Sequence, residues 1–327
     1  MAPLTQEQHA LRRQGIGASD VGAIVGVDPW KTVHRVWEEK RGVILENGPE
    51  PLPIRVGRLV EDLIADLYEE ETGEVLETRE EAAARGTIRH PTEPWILATP
   101  DRLSKSDPGL LTEVKWVGWR VAAKWDTREP DGIPDYVRCQ TEWQMLVTGR
   151  ERAHVPTIID GKDFHVFQVG RNEAIVEKLV EKCRVFWERH VLGGEPPPAD
   201  GSEDASEMLH RLHPSVLGGM LHASPEAEEV ARQIIGAKAS IKQAEDVLAL
   251  AENRMRELIG DERGFQGDGW RAVWSERAGG VLWKGVAEEM AEEFEANLAD
   301  FVARHRGATS RSLRVTDQKK KKESKAA

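Results

Sequence analysis

Asp101, Glu113 and Lys115 are the residues of this chain whose types and spacing point most directly to chemistry. Asp101 follows Pro100, eleven residues separate it from Glu113, and Val114-Lys115 follow at once. Both segments read as short strands, with Asp101 ending the first. Residues two apart on a strand share a face, so Glu113 and Lys115 point the same way. Two carboxylates from adjacent strands suit magnesium, a hard cation that prefers oxygen. Such a cation offsets charge and activates water when a phosphodiester is hydrolysed. A lysine beside it orients the water or stabilises the charged phosphate. The spacing alone is common, and a surface ladder of ion pairs has the same pattern. The surroundings favour a site: Trp95, Ile96, Leu97, Leu110, Leu111, Val114 and Trp116 flank these residues. Charges set among apolar strands are costly unless they are used.

Two helices offer further candidates. Glu61 lies in GRLVEDLIADLYEEET (57–72), where Leu59, Leu63, Ile64 and Leu67 mark an expected buried stripe and Gly73 a stop. Its carboxylate could join the acids or be solvated beside Asp62. Gln140 lies on a helix expected over 134–149, within reach of the water or the lysine. Gln144, one turn further on, could take that place instead.

The remaining pattern is that of an α/β protein. Residues 5–45 read as helices around the loop GIGASD, with Pro29 starting and Gly42 ending the last piece. WILATPDRL (95–103) and LLTEVKWV (110–117) are of strand length, separated by the turn-like SKSDPG. RAHVPTIID and FHVFQVG alternate as a hairpin turning at Asp160-Gly161, and 172–192 is helical. GGEPPPADGS (193–202) reads as a linker. Beyond it a long helix is expected from Ser224-Pro225 to about 259, with Val230, Ile234, Ile241, Leu248, Met255 and Leu258 as apolar positions. A small hairpin around Gly267-Asp268-Gly269, a helix over about 285–305 and a polar tail complete the chain.

Bulk properties narrow the function. At 327 residues the chain is long enough for one large domain or for a domain plus a smaller annex. Its formal charge of −12 argues against coating nucleic acid by bulk electrostatics. Residues 311–327, with KKKK at 319–322, carry a net +5, which leaves −17 on the rest. An acidic body still acts on DNA if some carboxylates hold a cation and basic groups line a groove. Cys139 and Cys183 are too few for a cysteine-only zinc or iron–sulfur site. No run of eighteen apolar residues occurs, and the N-terminus lacks a signal-peptide core. The expectation is a cytosolic protein that spans no membrane.

Six pieces occur in order over about the first 200 residues: RRQGIGASDVGAIVGVDPWKT, GRLVEDLIADLYEEETG, ILATPDRL, LLTEVKW, YVRCQTEWQMLVTGRERAHV and FWERHVLGGEPPP. Together they resemble the YqaJ-type viral recombinase family, the phage lambda-type exonucleases. The resemblance implies a PD-(D/E)xK (restriction-endonuclease-like) core over 1–200, with a mixed central sheet flanked by helices. A mainly helical extension (201–310) and a basic tail expected to be disordered (311–327) would follow. It also implies a magnesium-dependent 5′→3′ exonuclease that degrades one strand of linear duplex DNA, leaving a 3′ overhang for single-strand annealing. Asp101, Glu113 and the Val114 backbone carbonyl would be metal ligands, Lys115 the catalytic lysine, Glu61 and Gln140 the helix residues. Two Mg2+ ions per site are implied, with Mn2+ able to substitute. Arg12 and Ser19 would read a 5′ phosphate, with Arg13 the alternative to Arg12; a hydroxyl, backbone N–H groups and a guanidinium make an anion nest. Partners implied are duplex ends, a single-strand annealing protein and two further copies in a homotrimer, in a phage- or prophage-encoding bacterial host. The rival readings are an endonuclease on the same core and a non-catalytic end-binding protein.

Two features stand outside the resemblance. Many relatives carry tyrosine three residues before the helix glutamine, where this chain has Val137, with Tyr136 one place earlier. Trp95 and Trp143 read as core, while Trp119 and Trp125 could be core or could stack on bases. The 225–259 helix could pair with another chain or pack on its own domain.

Overall fold

The protein is described by a computed structural model over residues 10–44, 51–216, 218–275 and 283–294, and at residues 297, 300, 302 and 304. It divides into two units, Met1–Leu212 and His213–Ala327. In chain order the first contains β1 (Ile16–Gly17), α1 (Ala18–Val25), α2 (Val33–Arg41), α3 (Leu52–Thr72), α4 (Arg79–Arg85), β2 (Ile88–Arg89) and β3 (Ile96–Ala98). It continues with β4 (Arg102–Leu103), β5 (Leu110–Thr112), β6 (Lys115–Val117), α5 (Asp135–Thr148), β7 (Arg152–Ile159), β8 (Asp163–Gly170), α6 (Glu173–Val185) and α7 (Glu203–Leu212). A π-helical stretch, Phe186–Leu192, extends α6.

Prolines set the breaks that matter for Asp101 and Glu113. Pro100 separates β3 from β4, so the expected strand 95–103 is two short strands in two sheets. β3 pairs in parallel with β1 and antiparallel with β2, whereas β4 runs antiparallel to β5. The expected strand 110–117 is also divided. β5 and β6 pair in parallel with β7 at one common offset, Thr112 opposite His154 and Lys115 opposite Thr157. Between them Glu113 and Val114 leave the ladder where β7 presents Pro156, which has no N–H to donate. β8 covers the other edge of β7 from Arg152↔Gly170 to Ile159↔Asp163. Asp160 and Gly161 make that turn with φ of 55° and 71°, the left-handed region tolerated by these residue types. The result is the expected α/β class, with a mixed sheet and helices around it.

α5 is packed into two cores. Its Trp143 and Val147 join Val21, Ile96, Leu179 and Phe186. Its Val137 and Met145 join Leu111, Val155 and Phe167. Each fully buried side chain of this size contributes roughly 1.5–3 kcal/mol. Close approach of β1 to β3 demands glycine at position 15, because a Cβ there would lie 2.3 Å from the Trp95 carbonyl oxygen.

α3 turns a different face inward than its apolar stripe suggests. Ile64 is buried as expected and Leu67 is partly covered, but Leu59 and Leu63 are 64% and 54% exposed. The buried set is Ile64, Ala65 and Tyr68, packed on Leu76 and Val114. Glu61 stands three, four and seven residues before these, so the inward face carries a carboxylate. Tyr68 Oη and His154 Nδ1 share a 2.7 Å hydrogen bond that fixes α3 to β7.

The end of the first unit also departs from expectation. The proposed linker is not open chain: Pro197 is buried, and His34 Nε2 bonds the Pro198 carbonyl at 2.9 Å. α7 follows and belongs to this unit, not to the extension. Met208 enters the core, Thr32 donates to Asp204 at 2.6 Å, and Arg211 pairs with the buried Glu38 at 2.5 Å. The boundary therefore falls after Leu212, beyond the expected residue 200.

The second unit contains α8 (Pro225–Ile259), β9 (Gly264–Gly267), β10 (Trp270–Val273) and α9 (Trp283–Glu293). Ser224 caps α8 by accepting from the Ala227 amide at 3.1 Å, with Pro225 in the first turn. β9 and β10 form the expected hairpin, Gly267 opposite Trp270. Most of residues 295–305 in the expected last helix lie outside the described residues, as does the basic tail 311–327. No described helix is long and apolar enough to cross a membrane.

Candidate active site

The chain break at Pro100 and the ladder break opposite Pro156 bring Asp101 and Glu113 together. Asp101 opens the turn into β4, and its Oδ2 accepts the Val114 amide at 2.8 Å. The Val114 amide thus ties Asp101 to the strand that carries Glu113 and Lys115. Glu113 keeps one ladder bond, its N–H to the His154 carbonyl at 3.0 Å, and is 2% exposed.

Glu113 is gripped at both oxygens. Lys115 Nζ and Gln140 Nε2 each donate to Oε1 at 2.5 Å. Gln144 Nε2 donates to Oε2 at 2.7 Å, and Lys115 Nζ also donates to Gln140 Oε1 at 3.2 Å. The alternatives Gln140 and Gln144 are both occupied, because residues four apart on α5 present one face. Gln144 Oε1, also buried, has no hydrogen-bond partner.

The electrostatics of the pair are opposed. Burial, then the charges of Glu113 and Glu61, push the Asp101 carboxyl well above the usual carboxylate range, against the pull of Lys115 and the Val114 amide. Burial works against charge on Lys115, but Glu113 and then Asp101 more than offset it, and the lysine holds its proton more tightly than usual. Among the described residues no three His, Cys, Asp or Glu side chains are gathered as a ready cation cage. Asp101 and Glu113 are hard oxygen donors close enough for the charge of one to act on the other, a repulsion that a divalent cation would relieve.

Glu61 reaches this neighbourhood, tethered from behind. Arg102, buried on β4, donates to Glu61 Oε1 and to Asp62 Oδ1, both at 2.6 Å. Arg79 holds the other Asp62 oxygen at 2.5 Å. Arg102 was not singled out from the sequence, yet it ties Glu61 and Asp62 to β4; its only signal is an arginine directly after Asp101. Tyr136 lies close enough to Lys115 to feel its charge, and it packs edge-on against Trp30 at 5.1 Å. Val137, at the place of the relatives' tyrosine, is core.

A cavity of about 100 Å3 is lined by Arg12, Ser19, Thr87, Thr99, Gln140 and Gln144 among others, and the two glutamines connect it to Glu113. Arg12, rather than Arg13, lines it. Its guanidinium donates to Ser19 Oγ at 3.5 Å, and Ser19 lies in the first turn of α1, which begins inside GIGASD instead of after it. Behind them Asp20 is buried against Lys40 at 2.6 Å and Lys31 at 3.0 Å. Burial pushes the Asp20 carboxyl up, but Lys40, Lys31 and Arg12 outweigh this and hold it far below the ordinary range. Two residue sets proposed separately from sequence, Arg12/Ser19 and Gln140/Gln144, thus line one space. Of the open tryptophans, Trp125 is core. Trp119 is 70% exposed, and Arg120 lies over its ring at 5.2 Å.

Residues 7–151 match the YqaJ-like viral recombinase domain. It is 27% identical over 267 residues to the uncharacterized protein YqaJ of Bacillus subtilis (strain 168), covering 80% of this chain and 81% of that one. Among solved structures it is similar to LHK-Exo in complex with dAMP, at 21% identity and a TM-score of 0.46, covering 64% of this chain and 97% of that one. A second structure, an alkaline exonuclease (LHK-Exo) from Laribacter hongkongensis, gives 20% identity, a TM-score of 0.45 and coverages of 64% and 96%.

Proposed function

We propose that this chain is a magnesium-dependent 5′→3′ exonuclease acting on the ends of double-stranded DNA. The observation that carries the reading is the continuity of the site. Glu113 and Lys115 meet Gln140 and Gln144, and the same two glutamines line the cavity with Arg12 and Ser19. A phosphate seated by Arg12, Ser19 and the first turn of α1 would be held by a forked cation and a helix N-terminus. That would favour an end over an internal site.

Asp101 and Glu113 would hold the divalent cation, with Glu61 as a further carboxylate. The bound cation would polarise a phosphoryl oxygen and lower the pKa of water. Lys115, kept charged by its acids, would offset the negative charge that builds on the phosphate. Gln140 and Gln144 fix the orientation of Glu113, so its carboxylate needs little reorganisation. The resulting 3′ overhang would serve annealing-based recombination, as the recombinase-domain family suggests.

Digestion of 5′-phosphorylated linear, 5′-hydroxyl linear and closed circular duplex, each in magnesium and in chelator, tests this. The linear phosphorylated form should be degraded fastest and only with metal, from the 5′ end. Equal degradation of the circle would refute the exonuclease reading and leave an endonuclease.

A further inference from the structure

α8 is 35 residues long, roughly 52 Å at 1.5 Å per residue, and several of its large apolar side chains are exposed. Two of its positions are apolar in every seven-residue repeat, while Ile235, Val247, Leu250 and Ile259 fall outside them. Ala227, Ile234, Ile241, Leu248 and Met255 fall at one position of the repeat. Val230, Ala237, Ala244, Ala251 and Leu258 fall three places later. Two apolar positions per heptad over five heptads make a coiled-coil seam, narrower than the face of a helix lying on a globular core. Val230, Ile241, Leu248 and Leu258 of that seam are exposed.

From this we infer that α8 pairs with α8 of a second copy of this chain, in antiparallel orientation. The orientation follows from side-chain volume. In parallel register each layer would match a residue with itself, giving four alanine-on-alanine layers, three of them (237, 244 and 251) between layers of large side chains. Such seams leave voids, and a void forfeits packing energy. Turned antiparallel about the midpoint between Lys242 and Gln243, each central layer joins a large residue to a small one. Ile234 lies on Ala251, Ile241 on Ala244 and Leu248 on Ala237, and the same three recur by symmetry. The outer layers, Met255 on Val230 and Leu258 on Ala227, complete the set. Charge agrees with volume. Beside the antiparallel seam Lys238 faces Glu245 of the second copy, twice per pair. In the parallel arrangement the flanking contacts hold no such opposites: Glu226 would meet Ala231, Val247 would meet Glu252, and Arg254 would meet Ile259. Val247 widens the apolar face beside the seam, and Leu250 lies off it. This pairing is independent of the nuclease reading, since it uses no residue of the first unit.

Cysteine cross-linking in the full chain tests it, because Cys139 and Cys183 are buried. Chains carrying Ala227→Cys and chains carrying Leu258→Cys, mixed and mildly oxidised, should give a covalent pair of one of each; neither alone should cross-link. Ala227→Cys chains that cross-link to themselves, or a mixture that stays uncross-linked, would overturn the proposal. Ala244→Leu supplies a second reading by sedimentation. It overfills two antiparallel layers and should weaken self-association through α8 by at least about tenfold. Tighter self-association, the result expected of a filled parallel void, would also overturn it.

Discussion

Gln144 holds, from inside the protein, the one oxygen of Glu113 that Lys115 and Gln140 leave open. The carboxylate is therefore fixed in rotation as well as in place. Gln144→Ala would release Oε2 and leave a buried acceptor without its donor, at a cost of about 1–3 kcal/mol. If Glu113 must be oriented for catalysis, this variant should lose about tenfold or more in kcat/KM beyond any change in melting temperature. An unchanged kcat/KM in the folded variant would remove Gln144 from the site.

Asp101 is a destabilising charge that the protein tolerates. Burial and two neighbouring acids disfavour its ionised form. Asp101→Asn should therefore unfold at higher denaturant than wild type in chelator, by about 1–2 kcal/mol. The same variant should be inactive in magnesium, a loss on the order of a thousandfold or more. Urea unfolding and the digestion assay read the two effects separately. An Asn variant that is active, or markedly less stable than wild type, contradicts this placement.

Arg12 should act on end chemistry rather than on cleavage itself. Arg12→Ala should slow digestion of 5′-phosphorylated ends about tenfold or more while leaving 5′-hydroxyl ends nearly unchanged. The ratio of the two rates is the measurement. A ratio that stays at the wild-type value assigns the phosphate elsewhere.

Asp20 predicts an acid transition. Its folded carboxyl titrates far below the ordinary value near 3.9 because Lys40, Lys31 and Arg12 outweigh its burial. A lowered folded pKa gives stability that is full above the unfolded pKa and is lost as pH falls through and below it. Melting temperature should thus be insensitive to Asp20 from pH 6 upward and should drop below about pH 4. Asp20→Asn should be less stable by about 3–5 kcal/mol at neutral pH, because the buried Lys40 loses its carboxylate and Lys31 is left with Glu39 alone. Its melting curve should also lose part of the acid slope, and an unaltered slope would rule the group out.

That the acids, the lysine and the two glutamines come near one another was legible in the sequence from the order of strands and helix, but the breaks that join Asp101 to Glu113 were not. The rest needed the fold. Leu59 and Leu63 fit a buried stripe as well as Ile64 does, and only the packing of Tyr68 and Ala65 on β7 and its neighbours selects the other face. Pro100 and Pro156 are visible as letters, but a break in a ladder depends on which strand lies opposite. α7 was assigned to the extension because proline and glycine before it look like a linker, while the core contact of Met208 is long-range. Arg102 was passed over because one arginine in a strand has no signature until its two carboxylates are known.

A single turn of α5 carries the two glutamines that touch both the carboxylate and the cavity. Whatever enters that cavity presses on the same two side chains that aim Glu113. If the site works as proposed, seating and cutting would share one mechanical part, like a latch that is also the trigger. A fragment too short to fill the cavity would leave the trigger slack even when it reached the acids, so the protein would measure its substrate before committing to it.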